Sequence, residues 1–229
     1  MATKKKLQAP ETALVLRTCY ADMTSHGRFQ WPSDVGSFVE APDWVKSDEC
    51  GNGLHGWLFG QGDAGASSSI NKANAKWLVV EVPLPSIVAL GGKVKFPSCT
   101  IRHIGDKLSA TQYLVEHEPR AASVSVIGIT LTGGDDSTLT GGYCSTLTGG
   151  NRSTLTGGDC STLTGGNDST LTGGDDSTLT GGDKSELRIR KWCVKSERYR
   201  TYQAYVGEDG IEAEKAYRLD ENNNFMPAE

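Results

Sequence analysis

From Ile129 to Lys184 the apolar positions recur every eight residues. Leu131, Leu139, Leu147, Leu155, Leu163, Leu171 and Leu179 mark seven units of S-T-L-T-G-G-x-x, and Leu187 begins a degraded eighth. A fixed short period predicts a solenoid, in which one unit cannot bury its own Leu but stacked units bury a column of them. Within a unit, Ser-Thr-Leu-Thr alternates as a strand does, with Ser and Leu inward and both Thr outward. Gly-Gly is expected to form the corner at positive φ, and the last two positions to face solvent.

The variable positions favour a coil of two units, sixteen residues, over a coil of one. At that spacing Asp136, Arg152, Asp168 and Lys184 form one column, with signs that alternate. Stacked rungs lie ~4.8 Å apart, so opposite charges adjoin and like charges skip a rung. The neighbouring column is Asp135, Asn151, Asn167 and Asp183. On the other edge Cys144 stacks on Cys160, and Tyr143 shares a column with Asp159 and Asp175. An eight-residue coil would place Asp168 on Asp176 and lose the alternation.

Outside the repeat, period and propensity predict strands at Thr12–Tyr20, Lys76–Val82 and Thr100–Ile104, a hairpin over Val88–Pro97 and a helix over Lys107–His117. Ala21–Pro42 is turn-rich. After the repeat, Lys191–Val206 carries Tyr199, Tyr202 and Tyr205. Gly207–Gly210 signals a hairpin, Ile211–Leu219 a returning strand, and Glu221–Asn224 a turn into Phe225. The expected fold is mainly β. Residues 1–9 form a flexible N-terminus, 10–122 an α+β domain, 123–187 a parallel β-solenoid and 188–229 a C-terminal β cap. Non-repeat sequence at both ends is expected to cover the open sheet edges of the solenoid.

The S-T-L-T-G-G-x-x unit resembles the half-repeat of bacterial ice-nucleation proteins, whose sixteen-residue coils carry T-x-T strands and small-residue corners. A second resemblance covers roughly residues 10–120. A-L-V-L-R-T-C-Y, C-G-N-G-L-H-G-W, A-K-W-L-V-V-E-V and G-G-K-V-K-F-P-S-C are similar to an N-terminal domain of uncharacterised bacterial and phage proteins that is often joined to a short-period repeat. G-E-D-G-I-E-A-E-K-A-Y-R-L resembles the tail of the same proteins. The likeness implies a phage or prophage setting rather than a chemistry.

Charge changes the picture of the solenoid. The chain has a net charge of -5. The repeat holds Asp135, Asp136, Asp159, Asp168, Asp175, Asp176 and Asp183 against Arg152 and Lys184 alone, which argues against direct nucleic-acid binding by this surface. No apolar run approaches a membrane span. Lys4–Lys6 lack a following apolar stretch, so no secretory signal is read. Six scattered Cys fit reduced thiols. The expected location is the cytoplasm of a bacterial host cell.

Candidate chemistry gathers in the first domain. Gly-Leu-His55 resembles the glycine-led second-strand motif of ADP-ribosyltransferase-like folds. That resemblance would place Arg17 on the first strand and make Glu81 or Glu116 the acid. The favoured reading of the same residues is a structural turn shaped by Gly51 and Gly53, with His55 a hydrogen-bonded, half-buried side chain. Cys50, His55, Cys99 and His103 are zinc-ligand types, but no C-x-x-C or H-x-x-x-H spacing supports a site. The repeated Ser lack a base, the calcium nonapeptide period is absent, and there is no phosphate-loop or dinucleotide fingerprint. No metal or cofactor is expected.

Three function classes follow. The first is a non-enzymatic binding or scaffold protein of phage type, its acidic solenoid facing a protein of the bacterial host in a counter-defence role. The surface would comprise Thr130, Thr132, Asp135, Asp136, Thr138, Thr140, Tyr143, Thr146, Thr148, Arg152, Asp159, Asp168, Asp175 and Asp176. The second is a transferase in residues 10–120. The third is ice binding through the T-x-T faces. A monomer or a closed homodimer is expected.

Overall fold

The computed structural model describes residues 11–228, so the segment 1–9 read as flexible lies outside the described residues. The chain forms two compact units, Met1–Ser123 and Val124–Glu229.

The first unit is a seven-stranded antiparallel sheet with one helix. Its strands are β1 (Thr12–Cys19), β2 (Phe38–Glu40), β3 (Leu54–Leu58), β4 (Lys76–Pro83), β5 (Val88–Ala89), β6 (Val94–Phe96) and β7 (Ser98–Gly105), in the order β2-β7-β4-β1-β3-β6-β5. The helix is α1 (Lys107–His117). Asp106 caps it by accepting the Ser109 N–H at 2.8 Å, while the Ser109 hydroxyl accepts the Asp106 N–H. β1 and β4 pair along their whole length. Both are buried on both faces, and their apolar runs are therefore nearly continuous. One face packs Val15, Leu78, Val80, Phe96 and Ile101 around Trp31.

Two strands were hidden in stretches read as turns. Leu54–Leu58 carries a polar residue and a glycine within five positions, which weakens a β pattern. Gly56 is required there, because a Cβ would lie 2.5 Å from Val15 Cγ1 and 2.8 Å from the Leu16 carbonyl oxygen. β2 is only three residues long and sits at the sheet edge.

The second unit is the solenoid with its cap. One face stacks β8 (Thr130–Thr132), β10 (Thr146–Thr148), β12 (Thr162–Gly165) and β14 (Thr178–Gly181). The other stacks β9 (Thr138–Thr140), β11 (Thr154–Thr156), β13 (Thr170–Gly173) and β15 (Glu186–Cys193). Every pair is parallel and in register at a spacing of sixteen, as in Leu131↔Leu147↔Leu163↔Leu179. Leu147, Leu155, Leu163, Leu171, Leu179 and Leu187 are fully buried between the faces. Each such side chain contributes ~1.5–3 kcal/mol by leaving water.

The corners differ from the expectation. No Gly of the repeat has positive φ; the left-handed residue is the last of each unit, with φ 51–58° at Asp136, Cys144, Arg152, Cys160, Asp168, Asp176 and Lys184. The glycines answer a different demand, close approach. A Cβ on Gly149 would meet Ser153 Oγ at 2.6 Å, and one on Gly158 would meet the Gly142 backbone at 2.8 Å. The Ser column beneath them is buried and linked rung to rung, with Ser145 Oγ 3.0 Å from Ser161 Oγ and Ser161 N–H donating to Ser177 Oγ at 3.1 Å. The next-to-last position of each unit is Asp or Asn at all but Tyr143 for a local reason. Asp135, Asn151, Asn167 and Asp159 each offer Oδ1 to the backbone N–H one rung on, at 2.8–2.9 Å.

At the C-terminal end of the coil column the cap is a set of antiparallel strands. β16 (Arg198–Tyr205) folds back on β15, and β17 (Ala216–Leu219) pairs with β14 and with β18 (Phe225–Pro227). The β15–β16 hairpin turns at Val194–Glu197 rather than at Gly207–Gly210. Ile211–Leu219 is a strand only from Ala216 on. The residues before it cross the coil end instead: Val206, Ile211 and Tyr217 close the leucine column. Asp220 forms the last turn by accepting the N–H groups of Asn222 and Asn224, both at 2.8 Å. At the other end of the coil column the non-repeat residues Val126, Ile127 and Ile129 are buried. β8 and β9 are the last strands of their sheets among the described residues, and Leu131 and Leu139 are half-buried. Val126–Gly128 bonds across one corner, through Gly142 N–H to the Val126 carbonyl and Gly128 N–H to the Tyr143 carbonyl.

Candidate functional site

The solenoid presents two threonine arrays. Thr130/Thr132, Thr146/Thr148, Thr162/Thr164 and Thr178/Thr180 cover one face in four rungs. Thr138/Thr140, Thr154/Thr156 and Thr170/Thr172 cover the other in three, where Glu186 and Arg188 end the array and pair with each other. All fourteen Thr are exposed or half-buried. Spacing is ~4.8 Å between rungs and ~6.7 Å between the two Thr of a strand. Each face is thus a flat lattice of hydroxyls and methyls, held rigid by an in-register backbone ladder.

The edges carry the charge. Arg152 grips Asp136 with two hydrogen bonds, Nε to Oδ1 at 2.8 Å and Nη2 to Oδ2 at 2.7 Å. The Asp136 carboxyl lies below its ordinary range because of that bond. On the other edge Lys191 Nζ reaches Asp175 at 3.3 Å. Tyr143 is half-buried, while Asp159 and Asp176 are exposed. The sequence reading missed Lys191 as a solenoid partner, because β15 continues the coil beyond the last complete repeat.

The first unit brings two of its three candidate residues together. Arg17 and His55 line one cavity of about 920 Å³ with Cys50 and the Ser67–Ser69 loop. Arg17 is 8% exposed, and burial lowers its pKa to about 10. Its Nη1 donates to the His55 carbonyl at 3.1 Å, and its guanidinium lies 3.8 Å over the Trp31 ring. Burial first, then the charges of Lys93, Arg17 and Lys95, push His55 down to about 4, so the imidazole is neutral at pH 7. Glu81 is not part of this cavity. It pairs with Arg102 and accepts the Thr12 hydroxyl at 2.8 Å. Glu116 is exposed on α1 beside His117. The transferase arrangement of Arg17 and His55 with Glu81 or Glu116 therefore does not assemble. Nor do the four zinc-ligand types meet: Cys99 is in the core, and His103 stacks on Tyr113 at 5.1 Å.

Residues 13–116 match the model of a domain of unknown function, DUF7666. The chain is also similar to ice nucleation proteins. It is 37% identical to one from Pseudomonas syringae pv. syringae over 122 residues, 52% of this chain and 10% of the relative. It is 45% identical to one from Xanthomonas campestris pv. translucens over 111 residues, 48% of this chain and 7% of the relative. It is 35% identical to ice nucleation protein InaU of Pantoea ananas over 109 residues, 47% of this chain and 10% of the relative. The chain spans about a tenth of the length of these curated relatives. No solved structure matches.

Proposed function

We propose that the second unit is a repeat scaffold whose threonine faces bind ice. The observation that carries this reading is the pair of flat, in-register Thr arrays on a rigid parallel ladder. Hydroxyls and methyls at fixed spacing hold neighbouring water in a repeating pattern, and an array on a rigid backbone gives up little conformational freedom on meeting a crystal. The likeness to ice nucleation proteins supports the same reading. The array is three to four rungs tall, so the expected action is adsorption to existing ice rather than nucleation of new ice.

The test is thermal hysteresis and ice shaping by the full chain. Activity is expected in the native protein and its loss in Thr146→Lys/Thr162→Lys, with circular dichroism checking that the solenoid stays folded. Thr154→Lys/Thr170→Lys reports the second face. A native protein that neither shapes ice nor shows hysteresis would overturn the reading.

The exposed aspartates favour a second reading, in which the acidic edges meet a basic protein surface, as one of a phage's bacterial host would provide. Salt-sensitive capture of a defined basic protein from host lysate, lost in Asp159→Asn/Asp176→Asn, would support it over ice binding.

A further inference from the structure

The cavity of the first unit contains two features that the fold does not explain. Arg17 Nε and His55 Nε2 are buried nitrogens without a hydrogen-bond partner. Buried polar atoms are nearly always paired, so an orphan needs a reason. Here the two residues that carry the orphans line the same cavity.

Their setting identifies the missing partner. The β1–β3 ladder joins only Val15 to Leu58 and Leu16 to Trp57, and then opens. Arg17 fills the opening. It spends two of its five donors on carbonyls, those of His55 at 3.1 Å and Thr18 at 3.5 Å. No carboxylate pairs with it among the described residues, and Trp31 holds its plane fixed. Lys95, opposite His55 in the β3–β6 ladder, is fully buried and has no carboxylate partner among the described residues. Its Nζ is satisfied by Ser47 Oγ at 3.0 Å and the Glu49 carbonyl at 2.8 Å. Lys93 joins Arg17 as a second cation in the cavity wall, against Asp43 as the single acidic lining residue. Buried charge without an internal partner is costly. An electropositive cleft of this kind draws anions.

The second orphan narrows the class. The His55 ring is bonded to the backbone of Gly53, and the ring is neutral, so Nε2 is left to accept a hydrogen bond. The ligand must then offer a negative oxygen to Arg17 and an O–H to His55. A phosphate monoester in its singly protonated form offers both. Ser67 and Ser68 supply further hydroxyls; Ser67 Oγ already sits 2.6 Å from Thr18 Oγ1. A volume of about 920 Å³ exceeds what bare phosphate fills and falls in the range of sites for organic ligands. Trp57 and Phe29 give it apolar wall.

We propose that this cavity binds a small organic phosphate, which Arg17 and His55 hold through the two nitrogens that the protein leaves unpaired. The site is independent of ice binding by the second unit.

The experiment is calorimetric titration of the full chain with adenosine 5′-monophosphate, inorganic phosphate and adenosine. The expected order is the monophosphate tightest, phosphate weaker, and adenosine without measurable affinity. Lys93→Ala at the rim should weaken the monophosphate severalfold, and Arg17→Lys at least tenfold, because a point charge cannot replace the planar fork. If Arg17→Lys does not fold, Lys93→Ala and His55→Gln carry the test. NMR gives an independent readout. The groups facing the imidazole are Arg17, Lys93 and Lys95 with Asp43, His26 and Cys50 on the wall. An added anion favours the charged ring, so the His55 pKa should climb from about 4 on titration with phosphate. Saturable binding by neither phosphate nor the monophosphate overturns the proposal. So does adenosine binding as tightly as its monophosphate, or a His55 titration that phosphate leaves unmoved.

Discussion

The two units bury apolar side chains by opposite means. In the first, each core residue meets a different neighbour. Val15 of β1 faces Val80 of β4 and Leu58 of β3, and the chain travels tens of residues to bring these strands together. In the second, every Leu meets its own kind sixteen residues away. The first core is a set of unique fits, so a lost residue weakens everything around it. The second is a sum of like contacts between adjacent rungs, so the effect of a loss depends on its height in the stack. Function follows the same division. The irregular fold makes a cleft with unmatched charge, and the regular one makes a flat repeating surface.

The sharpest test of that contrast is a leucine deletion at two heights. Leu163→Ala in the middle rung removes a fully buried side chain and is expected to cost ~2–5 kcal/mol. Leu131→Ala, half-buried in the first rung, should cost distinctly less. Leu78→Ala in the β4 core should cost as much as Leu163→Ala but act on the other unit. Four of the five Trp belong to the first unit, so Trp fluorescence follows it while far-UV circular dichroism follows both. Urea unfolding should show Leu163→Ala moving only the dichroism transition. Equal losses at Leu131 and Leu163 would contradict the nearest-neighbour picture.

This contrast also explains what could be read from residues alone. The repeat is legible because its period encodes its contacts: in-register stacking makes every partner a residue sixteen positions away. Both threonine faces and the order of their rungs follow directly. The left-handed corners were not legible, because Gly-Gly suggests positive φ, while a close approach of backbone to backbone demands the same residue. β1, β4 and α1 stand out by apolar runs and capping. β3 does not, since its Gly56 serves a close pass over β1 and its His55 faces the cavity. Arg17 and His55 could be named as chemical residues, yet Glu81 could not be set apart from them. On β4 it faces Arg102 and Thr12, and only the sheet register reveals that.

The units also treat charge differently. In the first, Glu118 is 3% exposed and accepts hydrogen bonds from Leu14 N–H at 3.0 Å and from Arg120 Nε at 2.6 Å. Burial works against its carboxylate, but Arg120 and these N–H groups outweigh burial and hold its pKa below 4.5. A depressed acid stabilises the fold above its unfolded pKa, and that gain is lost as pH falls through the folded value. Glu118→Gln should therefore cost ~1–3 kcal/mol at pH 7. The gap to wild type should narrow steadily as pH drops below 4.5. Urea midpoints at stepped pH test this, and a gap that widened in acid would refute the assignment.

On the solenoid, charge lies at the exposed edge, and the expected effect is the smallest. Alternating signs in the column Asp136, Arg152, Asp168 and Lys184 suggest that Arg152 serves both neighbours alike. The structure instead shows a one-sided pair. The planar guanidinium spends two of its five donors on Asp136, and that two-point grip turns the fork toward the Asp136 rung. Asp168 adds only a weaker attraction at longer range. A double-mutant cycle at low salt should find Arg152 coupled to Asp136 and distinctly less to Asp168, with both couplings fading as salt is added. Removing the guanidinium with Arg152→Ala should let the Asp136 pKa rise toward its ordinary value, which carboxyl NMR can follow. Equal coupling to the two aspartates would mean that the side chain samples both rungs. Coupling to Asp159 instead would contradict the sixteen-residue coil, since that residue occupies the opposite edge and becomes a near neighbour only if each rung holds a single eight-residue unit.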